Sequence, residues 1–433
     1  MKRRKITSAL SKTLSIFLIV AVIIAVAGVV GTFYVFQSIG GTAKPVKIGF
    51  AISLTGGAAG SGKASLVAMQ LWAEDVNKRG GLLGRPVELI YYDDKSDPAT
   101  VPGLYEKLIT VDKVDLVVSG YGSPLIAAAM PVVMKYGKVF VTNFQAGINE
   151  HFKYDKFFTL YPSGPDPWVD ASTGFFEIVK KVTPRPKTIA MLNVAHEFGE
   201  NCIRGAEILV KRIGDLEVVL KESYPPTTVE FVPLMSKVKA LNPDIVFICS
   251  FPTDSVGIVK ASKEIGLAPK IFGGFMVGLQ LASIQTQLGP ALNGLIVHHT
   301  YVPAPKMKFP GVEDVLARYQ RQAREAGVDP LGWYNAPYAY AMMQVLEAGV
   351  RGCGCLDDAK IADWIKNHEI ETVVGKIRFA PNGEWEKPRT LFIQFQNIRS
   401  ADLSEFANPD KIVILWPEEY KSGEIIYPFP GWR

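Results

Sequence analysis

From residue 46 to residue 142, short apolar runs alternate with amphipathic stretches, and very little chain lies between them. The runs are 46–54, 87–92, 114–119 and 139–142. The stretch after the first run carries Leu66, Met69, Leu71, Trp72 and Val76 on one helical face, and Gly80-Gly81 closes it. Segments 102–111 and 125–136 are predicted helices. Run 114–119 is apolar almost throughout, the pattern of a strand buried on both faces of a parallel sheet. Strand and helix in strict alternation with short connections predict a doubly wound sheet. A second series repeats the rhythm, with strands at 188–193, 217–224, 244–250 and 270–273 and helices at 199–212, 231–241 and 255–265. After a strand at 295–302 come predicted helices at 312–326, 336–349 and 360–367 and strands at 375–379, 391–396 and 411–415. The expected fold class is therefore α/β, with two doubly wound parallel-sheet lobes.

The N-terminal segment has a different composition. Residues 13–43 hold no charged side chain, and 15–36 are almost wholly apolar. A helix of that length spans a hydrocarbon core of about 30 Å. Lys2, Arg3, Arg4, Lys5 and Lys12 precede it and place its start in the cytoplasm, so the rest of the chain is expected outside. A cleaved signal peptide is the competing reading, but the run ends without an A-x-A-like site or a cysteine for lipid attachment. Processing near residues 8–11 would leave the apolar helix in place. The expectation is a membrane anchor and tether over residues 1–44. Removing its five basic residues from the 47 Lys and Arg leaves 42, matched by 42 Asp and Glu. A neutral body is not that of a nucleic-acid binder.

In open α/β sheets, ligands bind beyond the carboxyl ends of the strands. That rule selects the loops at 53–62, 93–97, 120–124, 143–147, 195–201, 251–255 and 274–278. Gly57, Gly62 and Lys63 imitate a phosphate-binding loop, but Ala64 stands where the metal-binding hydroxyl belongs, so the segment reads as a flexible loop. In Gly120-Tyr121-Gly122-Ser123-Pro124, the Ser123 hydroxyl and the start of a helix suit a carboxylate. Phe144, Gln145 and Ala146 follow the fourth strand, where backbone and the Gln145 amide can bond a polar ligand. Phe198, Phe251 and Phe275 stand at strand ends of the second series and suggest an aromatic-lined cleft. Cys202, Cys249, Cys353 and Cys355 permit disulfides in an exported chain, in a pairing that sequence leaves open. Cys353-Gly-Cys355 lacks a second ligand pair, so no metal and no cofactor is expected. No G-x-S-x-G elbow stands with a placeable His and acid, and Asp93-Asp94 and Asp357-Asp358 read as solvated charges, which argues against an enzyme.

Taken in order, these segments resemble the leucine/isoleucine/valine-binding family of periplasmic ligand-binding proteins. The first half of the likeness is Lys47-Ile48-Gly49-Phe50 through Ser53-Leu54-Thr55-Gly56, then Asn77-Lys78-Arg79-Gly80-Gly81, Gly84-Arg85-Pro86-Val87, Tyr92-Asp93-Asp94, Gly120-Tyr121-Gly122-Ser123 and Lys138-Val139-Phe140-Val141. Phe198-Gly199-Glu200, Asn242-Pro243-Asp244, Gly294-Leu295, Val374-Gly375-Lys376-Ile377-Arg378-Phe379 and Asn382-Gly383 complete it. The resemblance implies a Venus-flytrap fold with a three-strand hinge, crossing near 160–163, 299–302 and 379–382. One lobe would be 45–161 plus 302–379, the other 162–301 plus 380–433. It implies an extracytoplasmic solute-binding protein of an ABC importer, acting as a monomer with an ABC permease as partner. Ser123 would hold a ligand carboxylate, the backbone of Phe144, Gln145 and Ala146 its polar end, and Phe198 and Phe251 its body, with Tyr121 beside Ser123 and Tyr301 on the second crossover.

One departure bears on the ligand. Amino-acid binders of this family carry an acid near the position of Phe275 to meet the ammonium group. Without it, a buried ammonium costs several kcal/mol. The expected ligand is thus a carboxylate or amide, aromatic or aliphatic, captured by lobe closure. The alternative is a sensor subunit of the same fold.

Overall fold

The computed structural model describes residues 44–145 and 147–432. The apolar N-terminal segment lies outside these residues, as does Ala146. Among the described residues no helix is long and apolar enough to cross a membrane.

The first series forms β1 (Val46–Ile52), α1 (Ala59–Lys78), β2 (Val87–Asp93), α2 (Val101–Thr110), β3 (Leu116–Val118), α3 (Ser123–Lys135), β4 (Phe140–Thr142), α4 (Asn149–Phe152) and β5 (Phe157–Thr159). Its five strands make one parallel sheet in the order β2-β1-β3-β4-β5. All three residues of β3 are buried, as its unbroken apolar sequence requires. The winding reverses between β1 and β3, which opens a crevice at their carboxyl ends. β5 was not anticipated as a strand. Its three residues are too few to show periodicity.

The second series forms α5 (Pro167–Lys181), β6 (Thr188–Val194), α6 (Glu197–Ile213), β7 (Glu217–Tyr224), α7 (Val232–Leu241), β8 (Ile245–Ser250), α8 (Pro252–Glu264), β9 (Ile271–Met276), α9 (Ala282–Leu288) and β10 (Ile296–His299). The chain then adds α10 (Val312–Ala326), α11 (Ala336–Cys353), α12 (Asp358–Asn367), the hairpin β11 (Ile370–Thr372) with β12 (Gly375–Ile377), β13 (Leu391–Phe395), α13 (Leu403–Phe406) and β14 (Ile412–Trp416). The second sheet has the order β14-β13-β10-β9-β8-β6-β7. Its members β6 to β10 run parallel, and β13 and β14 close one edge antiparallel.

The late helices return to the first sheet. α10 and α11 pack on α1. There Arg318 forks onto Asp75 at 2.7 and 2.5 Å, and the Trp72 indole N–H donates to Glu347 at 2.9 Å. Ser65 donates to Asn335 at 3.0 Å. The chain therefore passes between the two bodies three times: after β5, after β10 and after β12.

Two sequence readings take definite form. α1 begins at Ala59, so Gly62 and Lys63 lie inside a helix and the flexible loop is shorter than expected. A Cβ on Gly62 would stand 2.0 Å from the Ser53 carbonyl oxygen, so glycine here serves close packing of α1 on the end of β1. Cys353 and Cys355 form a disulfide with Cα atoms 5.3 Å apart, and Cys202 and Cys249 are free and buried.

Candidate functional site

A cavity of about 450 Å³ lies between the two sheets. It takes Tyr121, Gly122 and Ser123 from the turn after β3, and Phe144 and Gln145 from the turn after β4. Facing them are Phe198 from the first turn of α6, Phe251 after β8 and Phe275 on β9. Seven of the nine residues selected from sequence thus meet at one place. Ala146 is outside the described residues. Tyr301 does not line the cavity. It is fully buried, with a hydroxyl that lacks a hydrogen-bond partner among the described residues.

Gly122 precedes α3 with φ 92° and ψ 139°, a backbone that side chains rarely adopt. This conformation turns the chain sharply and sets the first turn of α3, with its positive end, against the cavity at Ser123.

The walls are aromatic. Phe144 stacks on Tyr334, with centroids 4.8 Å apart and planes 7° from parallel, and meets Tyr161 edge-on at 5.9 Å. The hydroxyls of Tyr121 and Tyr334 share a hydrogen bond of 2.6 Å. On the opposite side, Phe198 stacks on Phe251 at 5.3 Å and Phe275 on His298 at 4.5 Å.

Polar groups are few. Gln280 donates to Nδ1 of His298 at 3.0 Å, which leaves the imidazole hydrogen on Nε2, 3.0 Å from the Tyr161 hydroxyl oxygen. Burial, with His299 adding to it, holds His298 well below the ordinary imidazole range, so the ring is neutral. Tyr161 accepts from His298 and keeps its own hydrogen for a further acceptor. Among the described residues, no Asp, Glu, Lys or Arg lines the cavity.

Gln145, selected from sequence as a ligand contact, lines the cavity and also has partners within the protein. Its carbonyl oxygen accepts from the Ile148 amide at 2.7 Å, and its amide nitrogen donates to Glu384 at 3.0 Å. The side chain is tied to the protein at both ends and forms a wall. Glu384 also accepts from the Ser163 hydroxyl at 2.8 Å. It is fully buried, and burial pushes its carboxyl up to about 8, so it is protonated at neutral pH.

Sequence reading missed Tyr161, His298 and Tyr334. Tyr161 follows β5, the short strand that went unrecognised. Tyr334 belongs to the turn between α10 and α11, far along the chain from the strand ends it joins. The adjacent pair His298-His299 was visible, but alternation along a strand says only that the two face opposite ways.

A family profile described as periplasmic binding protein matches residues 45–393. An amino acid binding protein of Pseudomonas aeruginosa is 25% identical over 350 residues, covering 80% of this chain and 87% of that one. The branched-chain amino acid transporter substrate binding protein of Streptococcus pneumoniae, solved with isoleucine, superposes with a TM-score of 0.68 at 18% identity over 82% of this chain and 98% of its own. A solute binding protein of an ABC transporter from Rhodopseudomonas palustris, solved with 3,4-dihydroxy benzoic acid, gives 0.68 at 19% identity over 82% and 94%.

Proposed function

This chain belongs to the periplasmic binding protein family, and from that premise we propose that it captures a small aromatic carboxylate for an ABC importer. The observation that carries the ligand class is the cavity lining, which among the described residues offers aromatic rings and hydroxyl donors but no carboxylate. An α-amino acid would bring an ammonium group into this space without a counter-ion, at a cost of several kcal/mol. A ligand carboxylate suits Ser123 and the first turn of α3, a flat ring suits the stacked walls, and an oxygen across the ring suits the Tyr161 hydroxyl. Of the two solved relatives above, the one holding a benzoic acid is the better guide to this cleft.

Capture proceeds by closure, since a ligand touching both walls binds the closed form more tightly and shifts the balance toward it. We assign 45–161 plus 302–379 to one lobe and 162–301 plus 380–433 to the other. Residues 13–43 would hold the monomer at the outer face of the membrane, within reach of the permease that reads the closed shape.

Calorimetry on the full chain in detergent tests the ligand class. 4-Hydroxybenzoate is expected to bind, with leucine weaker by about 100-fold or more, the equivalent of about 2.7 kcal/mol. Leucine binding as tight as the aromatic acid overturns the assignment.

A further inference from the structure

A second cavity, of about 330 Å³, lies behind Tyr334 and straddles the same gap. On one side are Ser61 and Ala64 of α1 with Gly332 and Asn335, and on the other Leu281 and Ser283 at the start of α9. Asp329 reaches across. It sits in the turn between α10 and α11, which pack on α1, yet its Oδ2 accepts from the backbone N–H of Ser283 at 3.1 Å. α9 itself packs on α8 and α13, with the second sheet. The other oxygen, Oδ1, accepts from the amides of Leu331 at 3.2 Å and Gly332 at 2.9 Å. The Tyr319 hydroxyl donates to the Asp329 carbonyl at 3.0 Å. Asp329 is 8% exposed.

One carboxylate thus holds the turn that carries Tyr334 and grips the facing body. Tyr334 in turn stacks on Phe144 and bonds Tyr121 in the first cavity. We propose that Asp329 is a positioning residue for capture, a latch that ties closure of the two bodies to the placement of Tyr334 in the ligand wall. The bond to Ser283 exists only while the bodies are together, and the bonds to Leu331 and Gly332 persist in either state. This inference rests on capture by closure, and it assigns a specific bond to the closed state.

The two halves of the latch can be removed separately. Asp329→Ala removes both. Ser283→Pro removes the Ser283 donor across the gap, at the second residue of α9, and leaves only the neighbouring Ala282 amide to face Asp329 from that side. Four other helices, α2, α3, α7 and α11, carry proline at that position in Pro102, Pro124, Pro233 and Pro337, so the turn tolerates it. Hydrogen exchange on the full chain reads the bond directly. In wild type saturated with 4-hydroxybenzoate the Ser283 amide is expected to be protected, and in Asp329→Ala under the same conditions about ten-fold less, as for loss of a charge-assisted hydrogen bond. For Ser283→Pro, spin labels at Val111 and Val229, 67% and 81% exposed on the two bodies, report the separation. A broader, longer distance distribution is expected, with protection at Leu331 and Gly332 retained. Asp329→Asn, which keeps the shape and loses the charge, should fall between. An unprotected Ser283 amide in wild type overturns the latch, as does a Ser283→Pro distribution identical to wild type. The labels in wild type without and with 4-hydroxybenzoate test capture by closure separately: labels that do not approach each other overturn closure, whereas labels that do so while the Ser283 amide stays unprotected overturn the latch alone.

Discussion

Phe144→Ala is expected to lower stability by about 3–5 kcal/mol and to remove most of the affinity for an aromatic acid. The ring is 4% exposed and makes four aromatic contacts, with Tyr334 at 4.8 Å, Tyr338 at 5.3 Å, Tyr161 at 5.9 Å and Tyr121 at 6.3 Å. Truncation loses the transfer energy of the ring and leaves a hole, because the rings around it come from separate elements. Affinity falls by a separate route. Tyr334 loses the face on which it stacks, and with it the alignment of the Tyr121–Tyr334 hydroxyl pair. Phe144→Leu keeps much of the volume and should cost far less stability, while still losing the stacking contribution of about 1 kcal/mol. Urea unfolding and calorimetry measure the two effects. An alanine variant within about 1 kcal/mol of wild type in stability contradicts the account.

The second large effect is a dependence on pH that one side chain controls. Burial raises the Glu384 carboxyl from its ordinary 4.5 to about 8, with Glu150 and Asp170 adding in the same direction, while the bonds from Ser163 and Gln145 oppose the rise. Between these two values the folded chain holds a proton that the unfolded chain releases. Stability is therefore fully present below about 4.5, falls as pH rises through about 8, and is level above that. The total is on the order of 5 kcal/mol. Glu384→Gln should remove this slope, because glutamine accepts from Gln145 with its oxygen and offers its amide to the Ser163 oxygen. Urea unfolding of both proteins at pH 5 and pH 9 gives the comparison, and the difference between them cancels every other titrating group. Parallel pH profiles for wild type and variant would sink the idea.

Much of this arrangement could be read in the sequence, for identifiable reasons. Parallel strands buried on both faces give unbroken apolar runs such as 114–119, and ligand loops follow from the strand ends. That local logic brought together Tyr121, Ser123, Phe144, Phe198, Phe251 and Phe275, drawn from both bodies. It failed where position depends on contacts distant in the chain. Tyr334 enters the cleft because α10 and α11 fold back onto α1, and no local pattern announces that. Gln145 showed its residue type but not its partners, Ile148 and Glu384. Tyr301 lies on a crossover, fully buried and outside the cavity lining.

The fold-back of α10 and α11 also has a consequence for the order in which the chain is made. All five strands of the first sheet have been synthesised by Thr159, but Trp72 waits for Glu347, 275 residues later, and Ser65 for Asn335, 270 residues later. Until then α1 lacks the helices that cover its outer face. The emerging polypeptide cannot finish one half before starting the other, so the two halves mature together, late, once nearly the whole chain is free. Contacts this distant slow folding and keep the nascent chain loose for longer.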